Sequence, residues 1–222
     1  MDKNTKAIQL MKENKYEEAA SIFHEVIQEE PNDPLGYINF GNLLLHVKDQ
    51  ERAKRFYEKA IELDKNAATA YYGLGNLYFE QAIFPKAQAN FQQAIELGLE
   101  EADVYFMLGM TFQHQEHYKL ALPYLLRATE LDENDIELHF QYGLALAQSD
   151  LITDAKKVFQ HVLEKDNEHS DAHYNLGVIA LYNDQVEEAR DHFEEALAIQ
   201  PEHVLAANGK KQLDQLLKEK EQ

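Results

Sequence analysis

Gly41, Gly75, Gly109, Gly143 and Gly177 follow one another at intervals of 34 residues, and no other feature constrains the chain as much. Ala19, Ala53, Ala87, Ala121, Ala155 and Ala189 keep the same step, and so do Phe23, Tyr57, Phe91, Leu125, Phe159 and Phe193. A fourth row is Val26, Ala60, Ala94, Ala128, Val162 and Ala196. Rows that stay in register over so many copies, with no insertion or deletion, point to a stack of similar small units.

Within one unit the apolar residues recur at helical spacing, as in Tyr71, Leu74 and Tyr78 and then Ala87, Phe91 and Ala94. This predicts two amphipathic helices with a turn between them. Asp49, Asp150 and Asp184 stand where they would cap the second helix, Pro85 fits a first helical turn, and Pro31 and Pro201 fall between units. Gly on one helix and Ala on the other let two axes approach closely, while the large row fills the space between successive pairs. A single pair would leave an apolar face in water, so the units must stack.

The chain has 222 residues, 45% of them apolar, with nine glycines, five prolines and no Ser/Gly-rich or Pro-rich linker, which suits one uninterrupted domain. The formal net charge of -19 disfavours phosphate backbones and anionic membranes and favours basic partners. With no cysteine there are no disulfides, thiolate metal sites or cysteine nucleophiles, and a reducing, cytoplasmic setting is expected. The first thirty residues carry Lys3, Lys6, Lys12 and Lys15 among acids and lack a signal-peptide core, and no stretch approaches the ~20 apolar residues of a membrane helix.

With aromatic, Leu-Gly, Tyr, Ala, Phe and Ala at their places in a 34-residue frame, the sequence resembles the tetratricopeptide repeat family, in particular small stand-alone members of bacterial type. The resemblance implies an all-α, right-handed α-solenoid of antiparallel helix pairs: about six units and a C-terminal capping helix. Full units are expected at 34–67, 68–101, 102–135, 136–169 and 170–203. Residues 1–33 read as a degenerate first unit, in which Lys3, Lys6 and Ala7 replace the aromatic, Leu and Gly; it is either a polar N-terminal cap or the remnant of a longer array. Residues 204–220 resemble the family's solvating helix, with Leu205, Leu213, Leu216 and Leu217 expected on one side.

In that family the first helix of each pair lines a concave groove. The frame positions that face it are Ile38, Tyr72, Phe106, Phe140 and Tyr174; then Asn39, Gly73, Met107, Gln141 and Asn175; then Asn42, Asn76, Met110, Leu144 and Val178. The resemblance therefore implies an N-terminal half rich in asparagine, suited to a peptide backbone, and an aromatic and methionine-rich C-terminal half suited to an apolar anchor. The same Tyr and Asn residues are common in generic repeats and can serve the fold, and Phe106 and Phe140 can equally be packing residues. The Lys and Arg with which one family subtype grips carboxylate tails of chaperones are missing, so no such clamp is expected. Asp103, Glu137 and Asp171 open three successive first helices. They are either favourable helix-start charges or an acidic rim for a basic segment.

Ten histidines invite a metal reading, but His139 and His173 occupy the places of Tyr37, Tyr71 and Tyr105, so packing is the expected role. Asp132, Glu133, Asn134 and Asp135 lack the glycine and closing glutamate of a calcium loop. Gly73-Leu74-Gly75 lies inside a helix and is no nucleotide loop. Ser21, Ser149 and Ser170 are the only serines, none beside a base, so neither catalysis nor a cofactor is expected. The basic run Lys48, Arg52, Lys54, Arg55 and Lys59 is interrupted by acids and reads as a salt-bridged solvent face. Pro123 removes one hydrogen bond inside a second helix. The expected function is an adaptor that binds an extended or helical segment of another protein, of basic or apolar character, with no nucleic acid or membrane partner. The alternative is a scaffold self-associating through its C-terminal helix or convex face.

Overall fold

The computed structural model describes residues 2–220, with side chains as far as residue 218. These residues form thirteen α-helices and no strand. They are α1 (Lys3–Lys12), α2 (Tyr16–Glu29), α3 (Pro34–His46), α4 (Gln50–Leu63), α5 (Ala68–Glu80), α6 (Phe84–Glu96), α7 (Ala102–His114), α8 (Tyr118–Leu131), α9 (Ile136–Gln148), α10 (Ile152–Lys165), α11 (Ser170–Tyr182), α12 (Val186–Ile199) and α13 (Val204–Lys220). The architecture is the all-α solenoid of helix pairs. It is resolved as two compact units, residues 1–116 and 117–222.

In the N-terminal unit α1 packs on α2, α3 on α4 and α5 on α6, and each second helix also packs on the first helix of the following pair. First helices touch as well: α1 with α3, α3 with α5, α5 with α7. In the C-terminal unit α9 packs on α10, α11 on α12, and α13 on both α11 and α12. The small-against-large rows explain the close pairing. A Cβ added to Gly75 would lie 2.4 Å from the Phe91 ring, one on Gly143 2.8 Å from Phe159 and one on Gly177 2.7 Å from Phe193. Gly41 and Gly73 grip Tyr57 from two sides, at 2.7 and 2.4 Å by the same measure. These large residues are wholly buried, as are Ala53, Ala87, Ala155 and Ala189.

Both kinds of turn follow the period. The turn inside each pair places Asn14, Lys48, Ala82, Glu116, Asp150 and Asp184 at φ between 56° and 65°. Asp150 and Asp184 therefore serve the left-handed turn, which Asp tolerates better than most residues, and they do not cap. The helices after them start one residue beyond Leu151 and Gln185. Asp49 does cap α4, accepting from the Arg52 amide at 3.2 Å. First helices are capped by Asp33, Asp135, His169 and His203, all at one frame position. Pro34 and Pro85 occupy first turns, and α8 continues through Pro123. On α13 Ala206 and Leu213 are buried and Leu217 packs beside them, whereas Leu205 and Leu216 lie on a separate, exposed stripe, so the four leucines do not share one side. In the first pair Ala7 is fully buried in the glycine position, and Lys3, in the aromatic position, bridges Glu25 and Glu29 at 3.1 and 2.6 Å.

Candidate functional site

The first helices differ from the second in charge. α3, α5, α7, α9 and α11 contain no Lys or Arg, and their carboxylates are Glu80, Asp103, Glu137 and Asp171. The basic run at the second pair is neutralised locally: Lys48 meets Glu80 at 3.1 Å, Arg52 meets Asp49 at 3.4 Å, Lys54 meets Glu58 at 3.7 Å and Lys59 meets Glu62 at 3.0 Å. α3, α5, α7, α9 and α11 thus contribute no Lys or Arg to the surface, only carboxylates, and the field they set up is negative.

In the N-terminal unit a recess of about 520 Å³ opens on α3 and α5. It brings together Asn42, Tyr72, Asn76 and Met107 of the sequence-derived set. It also holds Leu45, His46, Lys48, Tyr57, Phe79 and Glu80, which sequence reasoning missed, although His46 and Glu80 fall on one row of the same period. The Tyr57 hydroxyl donates to Asn42 Oδ1 at 2.7 Å. Asn76 hydrogen-bonds to the Tyr72 hydroxyl, and burial raises the Tyr72 pKa against the effect of that bond. Tyr72 also packs on Phe91, with ring centroids 5.9 Å apart. Asn39 lies outside this recess and donates to Asn4 Oδ1 at 3.2 Å. Phe106 and Met110 are half-buried and Asp103 is exposed. Ile38 is 6% exposed and belongs to a core cluster with Ala60, Ala67 and Ala70, so its side chain offers almost no surface.

In the C-terminal unit a smaller recess of about 350 Å³ is lined by Leu144, Ala147, Gln148, Ile152, Asn175, Val178, Ile179 and Tyr182. Leu144 and Val178 stand at the frame positions of Asn42 and Asn76, so the same place in the repeat is amide-lined in one unit and aliphatic in the other. Tyr182, at the frame position of His46 and Glu80, is 75% exposed. Phe140 is 7% exposed and packs between Phe159, at 5.7 Å, and His169, at 4.5 Å; it is a core residue. Tyr174 leans on Phe193 and His203. Gln141 donates to Glu137, and Asn175 to the Asp171 carbonyl. Asp171 accepts from His203 Nε2 at 3.0 Å, which ties α11 to the cap of α13. Tyr37, His139 and His173 use their ring tips alike, reaching the carbonyls of Pro31, Glu133 and Asn167 in the turn that precedes the helix. Among the described residues no group of three or more His, Cys, Asp or Glu is placed to hold a metal ion. No helix among them is long and apolar enough to cross a membrane.

Comparison with known proteins agrees with this geometry. Models described as Tetratricopeptide repeat match residues 170–203 and 72–136, and one described as TPR repeat matches residues 49–81. The structure of YrrB, a TPR protein with an unusual peptide-binding site, is 45% identical, covers 86% of this chain and 99% of its own, and has a TM-score of 0.81. PilF of Pseudomonas aeruginosa, 13% identical over 95% of this chain and 96% of its own, has a TM-score of 0.80 and is similar in fold alone. MamA of Desulfovibrio magneticus RS-1 is likewise similar in fold alone, with 22% identity over 76% of this chain and 98% of its own and a TM-score of 0.64. No curated protein sequence matches the chain.

Proposed function

Because this chain belongs to the tetratricopeptide repeat family, a class of protein–protein interaction modules, we propose that it is a non-catalytic cytoplasmic adaptor that binds a peptide segment of a partner protein on its first-helix face. The observation that carries the reading is the recess on α3 and α5, where Asn42, Tyr72, Asn76 and Met107 meet and the one cation in the lining, Lys48, is paired with Glu80. Amides suit an extended backbone, because each can donate and accept. The thioether of Met107 adapts to an apolar side chain. The peptide-binding site of YrrB supports the same role here. Ile38 and Phe140 drop out of the contact surface because they are buried, and Asp171 serves as a brace to His203. Asp103, Phe106 and Met110 flank this recess within the N-terminal unit, and Glu137, Gln141, Tyr174 and Asn175 remain candidates on the first helices of the C-terminal unit, taken by itself.

The test is selection of a displayed random dodecapeptide library on the wild-type chain and on Asn42→Ala/Asn76→Ala. Enrichment of related sequences by the wild type alone supports the reading. No enrichment, or the same enrichment on the variant, overturns it. A second reading, self-association, draws on Val204, Leu205 and Leu216, which are exposed on α13 at 69%, 54% and 46%. Light scattering across a concentration series tests it, and a mass that stays monomeric sinks it.

A further inference from the structure

Tyr57 is the one hydroxyl-bearing residue in the row Phe23, Tyr57, Phe91, Leu125, Phe159 and Phe193. It is also 0% exposed, gripped by Gly41 and Gly73 so closely that the ring has no room to swing. Tyr57 helps to line the recess, and its hydroxyl donates to Asn42 Oδ1 at 2.7 Å. Burial, then Glu80 and Tyr72, push the Tyr57 pKa above its ordinary value, so the hydroxyl keeps its proton. Turning the Asn42 amide over would aim an N–H at that oxygen and leave a buried O–H donor without its acceptor, a costly arrangement. The amide of Asn42 is therefore held with its oxygen inward and both N–H groups directed away from Tyr57. Asn76 has no such lock. The ring at its own pair is Phe91, and its partner is the Tyr72 hydroxyl, which can donate or accept.

We propose that Tyr57 is a positioning residue that fixes the orientation of the Asn42 amide, so that its N–H groups, held away from Tyr57, meet an acceptor, the backbone carbonyl of a bound peptide. The proposal rests on the peptide-binding reading above. Phe at the equivalent position of four other pairs means that Tyr57→Phe keeps the packing while releasing the amide.

The experiment is a double-mutant cycle on Tyr57→Phe and Asn42→Ala, read as affinity for a synthetic, fluorescein-labelled copy of the dodecapeptide most enriched on the wild type. Tyr57→Phe weakens binding about three- to tenfold, the worth of one oriented hydrogen bond, with unchanged circular dichroism. In the Asn42→Ala background the same substitution has no further effect. Wild-type affinity for Tyr57→Phe, or an equal loss in both backgrounds, overturns the proposal, since a packing role would act whether or not Asn42 is present. A selection that enriches no peptide overturns the peptide reading itself, a separate outcome from either of these.

Discussion

Nδ1 of His173 on α11 lies 3.1 Å from Nδ1 of His192 on α12. His173 Nε2 faces the Asn167 carbonyl at 3.3 Å, so a neutral His173 that donates there has a bare Nδ1 to accept from His192. The pair can share one proton on that line and has no place for two. Burial and then His173 hold the His192 pKa below its ordinary 6.5; Glu188 and Asp191 pull the other way, and Lys156 adds to the depression. A depressed imidazole stabilises the fold fully above the unfolded value and loses that contribution as pH falls through the folded one. Melting temperature should therefore drop between pH 7.5 and pH 5, and His192→Gln should flatten part of that drop. Parallel melting profiles for both proteins would refute the assignment.

Gly75→Ala puts a methyl 2.4 Å from the buried Phe91 ring. The ring cannot retreat into solvent, so the helices must part. A loss of about 1–3 kcal/mol is expected in urea unfolding. A near-neutral result would mean that α5 and α6 slide apart freely.

Ala82 has φ 56° in the turn between α5 and α6 and is exposed. A left-handed alanine is strained, and glycine removes the strain without removing packing. Ala82→Gly should stabilise the chain by roughly 1 kcal/mol. A lower denaturation midpoint would show that the turn depends on the alanine methyl.

Phe140 stands on the row that frame position alone assigns to ligand contact, yet it is sandwiched by Phe159 and His169. Phe140→Ala should cost about 3–5 kcal/mol of stability, as a core truncation does. Unchanged unfolding would return Phe140 to the contact surface.

The period carried most of the architecture, because small-against-large contacts such as Gly143 with Phe159 must recur wherever the same two helices pack. It carried less of the recess. A row says which face of a helix a residue occupies, not how deep it sits, so Ile38 and Tyr72 share a row while one is buried and the other half-exposed. Depth depends on neighbours from adjacent helices, as when Phe91 supports Tyr72. The turn was hidden for another reason. Asn14, Lys48, Ala82 and Glu116 share a backbone conformation but no chemistry, so no residue type announced it, and Asp150 and Asp184 looked like caps. Asp171 was legible as a helix-start charge, but its bond to His203 joins two elements that no local pattern links.

The exchange of Asn42 and Asn76 for Leu144 and Val178 at matched places in the repeat has a consequence for how such a chain can change. Asn42, Asn76, Leu144 and Val178 belong to none of the glycine, alanine and ring rows that build the solenoid; of those rows, Tyr57 alone reaches either recess. On the proposed role, recognition is an interchangeable alphabet set on a fixed grammar. A substitution at a recess position rewrites one letter of what the protein reads while the sentence around it still parses.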